Sequence, residues 1–288
     1  MIGLHISFRT LGFLLALPAM TPQAPEVLSA ELKPQTVAAF DRYVQLTEAR
    51  IESDLKRPGA FLYVDGLPEA RRAAAKTILA RGEVYMERLT TRDPVGEEIK
   101  APDALIHHWV GGVFVPGATL RQTLEIVQDY DRHQDIYKPE VLRSKLAAHN
   151  GNDFKIFYRL RKKKVITVTL NTDHDVHYYP VDATHVHSRS YTRRIQEVAD
   201  ADKPTEREKP VGRDGGFLWR LYSYWRFEEK DGGVYVECES ISLTRDVPTG
   251  LGWLIKPFIT GIPKESLQMT MGSTLHAVQA ASAAGQAR

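Results

Sequence analysis

The spacing of apolar residues changes from helical to alternating as the chain proceeds. From Pro34, Val37, Phe40, Val44, Ile51 and Leu55 recur at mostly three- and four-residue steps, which predicts a helix stopped by Pro58-Gly59. A second helix is expected over residues 68–81, rich in Ala and Arg, with Pro68 where a missing N–H does no harm and Gly82 after its end. Residues 83–89 alternate as a short strand does. Residues 104–115 read as a longer strand closed by Pro116-Gly117, and Thr119 then caps a helix carrying Leu120, Leu124 and Val127 on one face. After a short helical or turn segment, strands are expected at about 141–149, 153–161, 164–180, 184–198, 216–228 and 233–245. Turn sequences such as Asn150-Gly151 and Asp231-Gly232-Gly233 join several of them. A Pro/Gly-rich loop over residues 246–252 leads to a last helix from about residue 263 to 281.

This order predicts an α+β fold. A curved antiparallel sheet wraps around a long C-terminal helix, the helix-grip arrangement, and residues 31–102 form a helical N-terminal extension packed on it. The ligand-binding domain is expected over residues 103–281. A sheet bent far enough leaves a gap that side chains do not fill.

The best hairpin gives a register. With residues 229–232 as the loop, Phe227 faces Val234, Trp225 faces Val236, Ser223 faces Cys238 and Leu221 faces Ser240. One face then carries Trp219, Leu221, Ser223, Trp225, Val236, Cys238 and Ser240, alternating large with small, and is assigned to the inside. The other carries Arg220, Tyr222, Tyr224, Arg226, Tyr235, Glu237 and Glu239. It is expected to be a solvated surface with cross-strand ion pairs worth ~0.2–1 kcal/mol each, so Glu237 is not expected to be buried. Ile156, Tyr158 and Leu160 share a face on one neighbouring strand, and Val168 and Leu170 on the next. Trp253, Leu254 and Ile255 fall in the loop that would gate the mouth. The candidate ligand contacts are Ile156, Tyr158, Val168, Leu170, Trp219, Leu221, Trp225, Val236 and Ile255.

Composition narrows the function. The 38 basic and 36 acidic residues leave a formal charge of +2, so no global field favours nucleic acid, and the Arg159–Lys164 cluster reads as a solvated hairpin tip. The one cysteine, Cys238, excludes an internal disulfide and a cysteine-built zinc site, and it reads as a small core residue. His174 and His177 stand near Asp173 and Asp175, and His185 and His187 share a strand face, but no spacing matches a metal motif. Surface histidines are the expectation, and adjacent His107 and His108 face opposite ways. There is no Gly-Xaa-Ser-Xaa-Gly elbow and no phosphate loop, so binding is expected ahead of catalysis.

Leu11 to Met20 is too short to span a bilayer and suits the apolar core of a signal peptide, with residues 1–30 as signal and linker; Ala19 or Ala30 would end it. Export to the periplasm or beyond follows if that signal is real. A start at Met20 would make the protein cytoplasmic.

Two stretches carry a family resemblance. Residues 115–141, with Thr119, Asp129-Tyr130-Asp131 and Pro139-Glu140-Val141, resemble the strand, helix, turn and strand entry of START-like (SRPBCC) domains. Residues 225–239, followed by Asp246-Val247-Pro248 and Ile262-Pro263, resemble the hairpin, loop and closing helix of lipid-transfer and coenzyme Q-binding members. The resemblance covers residues 103–280 and implies a cavity for a hydrophobic ligand, a lipid, quinone or polyketide-like molecule. It implies no permanent cofactor and a transient membrane contact. The superfamily also holds cyclases and iron oxygenases, and the single cysteine excludes a Rieske centre. A cyclase or hydrolase working with polar groups such as Tyr158 or Arg189 is the alternative, and a domain that only makes protein contacts is the third reading.

Overall fold

The computed structural model describes residues 30–164, 166–246 and 252–286, with only the backbone described for 252–259 and 286. The apolar stretch near the start of the chain lies outside these residues.

In chain order the elements are β1 (Ala30–Glu31), α1 (Pro34–Leu55), a 3-10 turn (Tyr63–Gly66), α2 (Glu69–Ala80), β2 (Tyr85–Arg88), β3 (Ala104–Pro116), α3 (Leu120–Val127) and α4 (His133–Ile136). Then follow β4 (Val141–Asn150), β5 (Asp153–Lys163), β6 (Thr167–Pro180), β7 (His185–Ala199), β8 (Arg207–Glu208), β9 (Arg213–Asp214), β10 (Arg220–Lys230), β11 (Gly233–Arg245) and α5 (Gly252–Gln286). The main antiparallel sheet runs β2-β3-β11-β10-β7-β6-β5-β4, with β8 beside β7. From β3 onward the order is strand, two helices, a run of antiparallel strands and one long helix. This is the α+β helix-grip arrangement expected from the sequence.

Local chemistry explains the joints. Thr119 and Gln122 form a capping box at the start of α3. The β10–β11 turn is two residues, Asp231 (φ 56°) and Gly232 (φ 74°), closed by the pair Lys230–Gly233. Two positive φ values match the twist of a tight hairpin. The expected four-residue loop is therefore corrected: Phe227 pairs with Val236, Trp225 with Cys238 and Ser223 with Ser240. The shift is two residues, an even number, so every side chain keeps its expected face. Bulges beside Arg143, Ala148 and His174 break the ladders and bend the sheet.

The last helix starts at Gly252, not near Pro263. Pro257 and Pro263 read as breakers, but each removes only one backbone bond and the helix continues through both. Trp253, Leu254 and Ile255 lie in its first turns rather than in a gating loop, and their side chains lie outside the described residues.

Leu267, Met271, Leu275 and Val278 of α5 pack on Val113, Val115, Val234, Val236 and Cys238, the concave face of the sheet. Gly111 permits this approach. A Cβ there would lie 2.9 Å from Met86 Sδ and 3.0 Å from Met271 Cγ. The convex face is covered by the N-terminal extension. Phe40, Tyr43, Val44 and Ile51 of α1 pack on Tyr224, Ile241 and Leu243, and Leu62, Val64 and Leu79 pack on Val110.

The expectation of a solvated Arg/Tyr/Glu face is thus overturned. Arg226, Glu237 and Glu239 are each 3% exposed. Alternation identified the face, but the strand sequence alone did not reveal that α1 and the 60–80 segment lie over it.

Candidate functional site

The concave face is the candidate site. Its side chains come from alternate residues of β3, β11, β10, β7, β6 and β5. Toward the hairpin end the wall is closed by Phe227, Val234 and Val236 with α3 and α5. Further along the same strands, Trp109, Leu221, Ser223, Trp225 and Ser240 remain only half-buried, although β10, β11 and β3 are interior strands of the sheet. The opposite faces of the same strands are closed, with Tyr224 at 2% and Ile241 at 0% exposure. An interior strand with one closed face and one accessible apolar face borders a recess.

Tyr158 gives a second sign. Burial pushes its phenol well above the ordinary range, reinforced by Tyr137 and Tyr178. The ring nevertheless retains accessible surface. Its hydroxyl lies 2.7 Å from His133 Nδ1, with the two rings stacked. Burial lowers His133 to about 4, against the nearby Val127 and Ile126 carbonyls. Nδ1 accepts from the Tyr158 phenol when the neutral ring carries its proton on Nε2, an atom with no hydrogen-bond partner among the described residues. Nearby, Tyr137 Oη lies 3.1 Å from Thr274 Oγ1 of α5, and Tyr130 Oη lies 2.9 Å from Tyr178 Oη.

The candidate contacts divide. Ile156, Tyr158, Trp225 and Val236 sit in or against the concave cluster. Leu221 shares the Trp225 face, and Leu170 and Val168 share the Val176 face along their strand. Trp219 does not join them. It precedes β10, packs with Phe40 and Leu243 on the convex side, and donates its indole N–H to Asp214 Oδ1 at 3.2 Å. Ile255 lies where side chains are not described. Trp109 and His133 also border this face but are not among the residues expected from the sequence. Trp109 alternates with Val113 and Val115 and could have been found so, whereas His133 sits in one short helical turn with no period to read.

Arg189, the polar group of the cyclase alternative, is on the convex face and donates to Glu52 of α1 at 3.0 Å. It cannot act beside Tyr158. The histidines also separate: His174 is buried on the concave side with Nε2 2.9 Å from Thr172 Oγ1, while His177 lies opposite beside Asp153. Among the described residues no group of three His, Cys, Asp or Glu side chains gathers as metal ligands would. Cys238 is buried in the concave cluster, and burial raises its thiol well above the ordinary range.

Polar chemistry on the convex side is structural. The Thr91 N–H donates to Tyr43 Oη, which lies 2.8 Å from His108 Nδ1, and His108 Nε2 lies 2.7 Å from Glu239 Oε1. Arg50 pairs with the same carboxylate, and Arg226 stands 3.9 Å from its other oxygen. Burial raises Glu239, but His108, Arg50 and Arg226 outweigh it and hold the carboxyl below its ordinary range. Two residues away, burial lifts Glu237 to about 7 against Arg226 and the N–H groups of Tyr63 and Val64. These groups join α1 and the 3-10 turn to the sheet. An outer groove of about 480 Å³ between α1 and the β1–β9 pair, lined by Asp41, Arg213 and Arg220, is shallow and apart from the concave face.

Several solved structures resemble this chain. A STAR-related lipid transfer protein from Xanthomonas axonopodis is 13% identical, with 68% of this chain and 98% of that one covered and a TM-score of 0.40. A START superfamily protein from Mycobacterium smegmatis is 10% identical, over 60% and 97%, at 0.41. An aromatase/cyclase from a Streptomyces species is 11% identical, over 61% and 94%, at 0.38. No family model and no curated protein matches the sequence.

Proposed function

We propose that this chain binds a hydrophobic small molecule in the recess between the concave face and α5. The observation that carries the reading is the accessible apolar wall, Trp109, Leu221 and Trp225, on interior strands whose other face is closed. Burying a ligand there gains on the order of 25 cal/mol per Å² of apolar area before ordering costs. No catalytic step is assigned. Tyr158 and His133 form a neutral hydrogen-bonded pair, and Arg189, the partner the cyclase alternative requires, lies across the sheet.

Filling the recess tests the proposal. Ser240 pairs with Trp109 on one side and Ser223 on the other. Ser240→Trp places an indole in the recess, so uptake of Nile red by the full chain should weaken at least tenfold, read by probe fluorescence. Wild-type uptake by a folded variant would show that the probe, and the recess, lie elsewhere.

A further inference from the structure

The concave wall carries a row of hydroxyls that the protein leaves unbonded. Ser190 pairs with Ser223, and Ser223 with Ser240, on three neighbouring strands. All three share the faces of Val186, Phe227 and Val236, which pack in the concave cluster. Neighbouring strands lie ~4.8 Å apart, so the row is about 10 Å long. Ser188 and Ser242 flank it one step away on β7 and β11. Among the described residues the hydroxyls of Ser190, Ser223, Ser240 and Ser242 have no hydrogen-bond partner, and Ser188 Oγ is wholly buried and likewise unmatched. Ser188 Oγ alone is shut off from solvent, at a cost of about 1–3 kcal/mol; Ser223 and Ser240 are half-buried, so their hydroxyls are open to an occupant of the recess.

Among the described residues, no charged side chain lies along the row of hydroxyls itself. Arg189, Arg226, Glu237 and Glu239 alternate to the convex face, and Glu229, on the concave face of β10, sits at the hairpin end and accepts the Leu120 N–H. His107 and His174, on the concave side, are held neutral by burial. Glu197, farther along β7, is occupied by Lys209 and the N–H groups of Gly215 and Phe217. Arg88 and Lys264, which flank Trp109, are exposed.

From this geometry we infer that the ligand is an uncharged apolar molecule bearing a hydroxyl or carbonyl oxygen, which lies against the Ser190–Ser223–Ser240 row. Its hydrocarbon packs on Trp109, Leu221 and Trp225. This rests on the recess proposed above. A carboxylate or phosphate drawn into the row would be buried without a cation, and a bare hydrocarbon would leave the hydroxyls unmet; both are penalised.

Displacement of Nile red from the full chain at pH 8 tests this with four twelve-carbon probes: dodecan-1-ol, dodecan-2-one, dodecanoate and dodecane. The alcohol and the ketone should displace the dye at concentrations at least tenfold lower than the acid anion and the alkane. In the Ser223→Ala/Ser240→Ala double variant, the ratio of alcohol to alkane affinity should shrink at least fivefold. Dodecanoate competing as well as the alcohol would overturn the uncharged class. Dodecane competing as well, or an unchanged ratio in the double variant, would overturn the role of the hydroxyls. Absence of Nile red uptake by the wild-type chain would overturn the recess itself and this inference with it, which separates that failure from the others.

Discussion

Replacing Glu239 by alanine is expected to destabilise the protein by about 3–5 kcal/mol, because removing one partner of a buried ion pair leaves the others uncompensated. Glu239 is 3% exposed and receives His108, Arg50 and the charge of Arg226. Arg226 is equally buried, and its Nη2 already lacks a hydrogen-bond partner. Urea unfolding of the single variant and of Glu239→Ala/Arg226→Met measures the effect. The double variant should lose less than the sum of the two singles, since it removes the stranded cation as well. A single-variant loss under about 1 kcal/mol would be the size of a surface pair and would contradict a buried network.

Acidification from pH 6.5 to about 4 is expected to cost on the order of 3 kcal/mol of stability. His107, His133 and His174 are lowered to about 4 by burial, and half-buried His187 is lowered to about 4 by burial together with Arg189, Arg226 and His177. The unfolded chain takes up their protons near 6.5 and the folded chain does not, so their contribution is full above 6.5 and is lost as the pH falls through 4. Two carboxyls act in the opposite sense. Burial raises Glu237 to about 7 and Asp214 to about 6, the latter helped by Glu197, so the folded chain binds these protons first and gains stability over the same range. Four imidazoles outweigh two carboxyls, at about 1.4 kcal/mol per tenfold change in proton affinity. Chemical denaturation at steps of half a pH unit follows the slope, and His174→Phe should reduce it by about one proton. Stability that is flat or rising from pH 6.5 to 4.5 would show that these histidines are not held neutral in the fold.

Much of this architecture is legible in the sequence because its signals are local. The period of Val37, Phe40, Val44 and Ile51 marks α1, Thr119 and Gln122 mark the start of α3, and alternation marks each long strand. Even the misplaced hairpin loop left the faces intact, since an error of two residues preserves the side of every side chain. Legibility stops where distant segments meet. Nothing in Tyr235-Val236-Glu237-Cys238-Glu239 announces that Arg50 and the backbone of Tyr63 and Val64 will cover its charged side. Alternation places Tyr158 on its strand face, whereas the position of its partner His133 has no sequence signal, because a single helical turn has no period. Trp219 was extrapolated from the β10 pattern, yet it lies one residue before the strand begins, where alternation no longer governs direction.

The recess itself is best tested by native mass spectrometry of the purified full chain, followed by organic extraction of whatever it carries. A one-to-one adduct of an apolar, oxygen-bearing molecule is expected, retained in gentle ionisation and released into solvent. A clean protein mass, together with no uptake from a panel of neutral lipids and quinones, would contradict a ligand-binding recess and leave the space beneath α5 as ordinary packing.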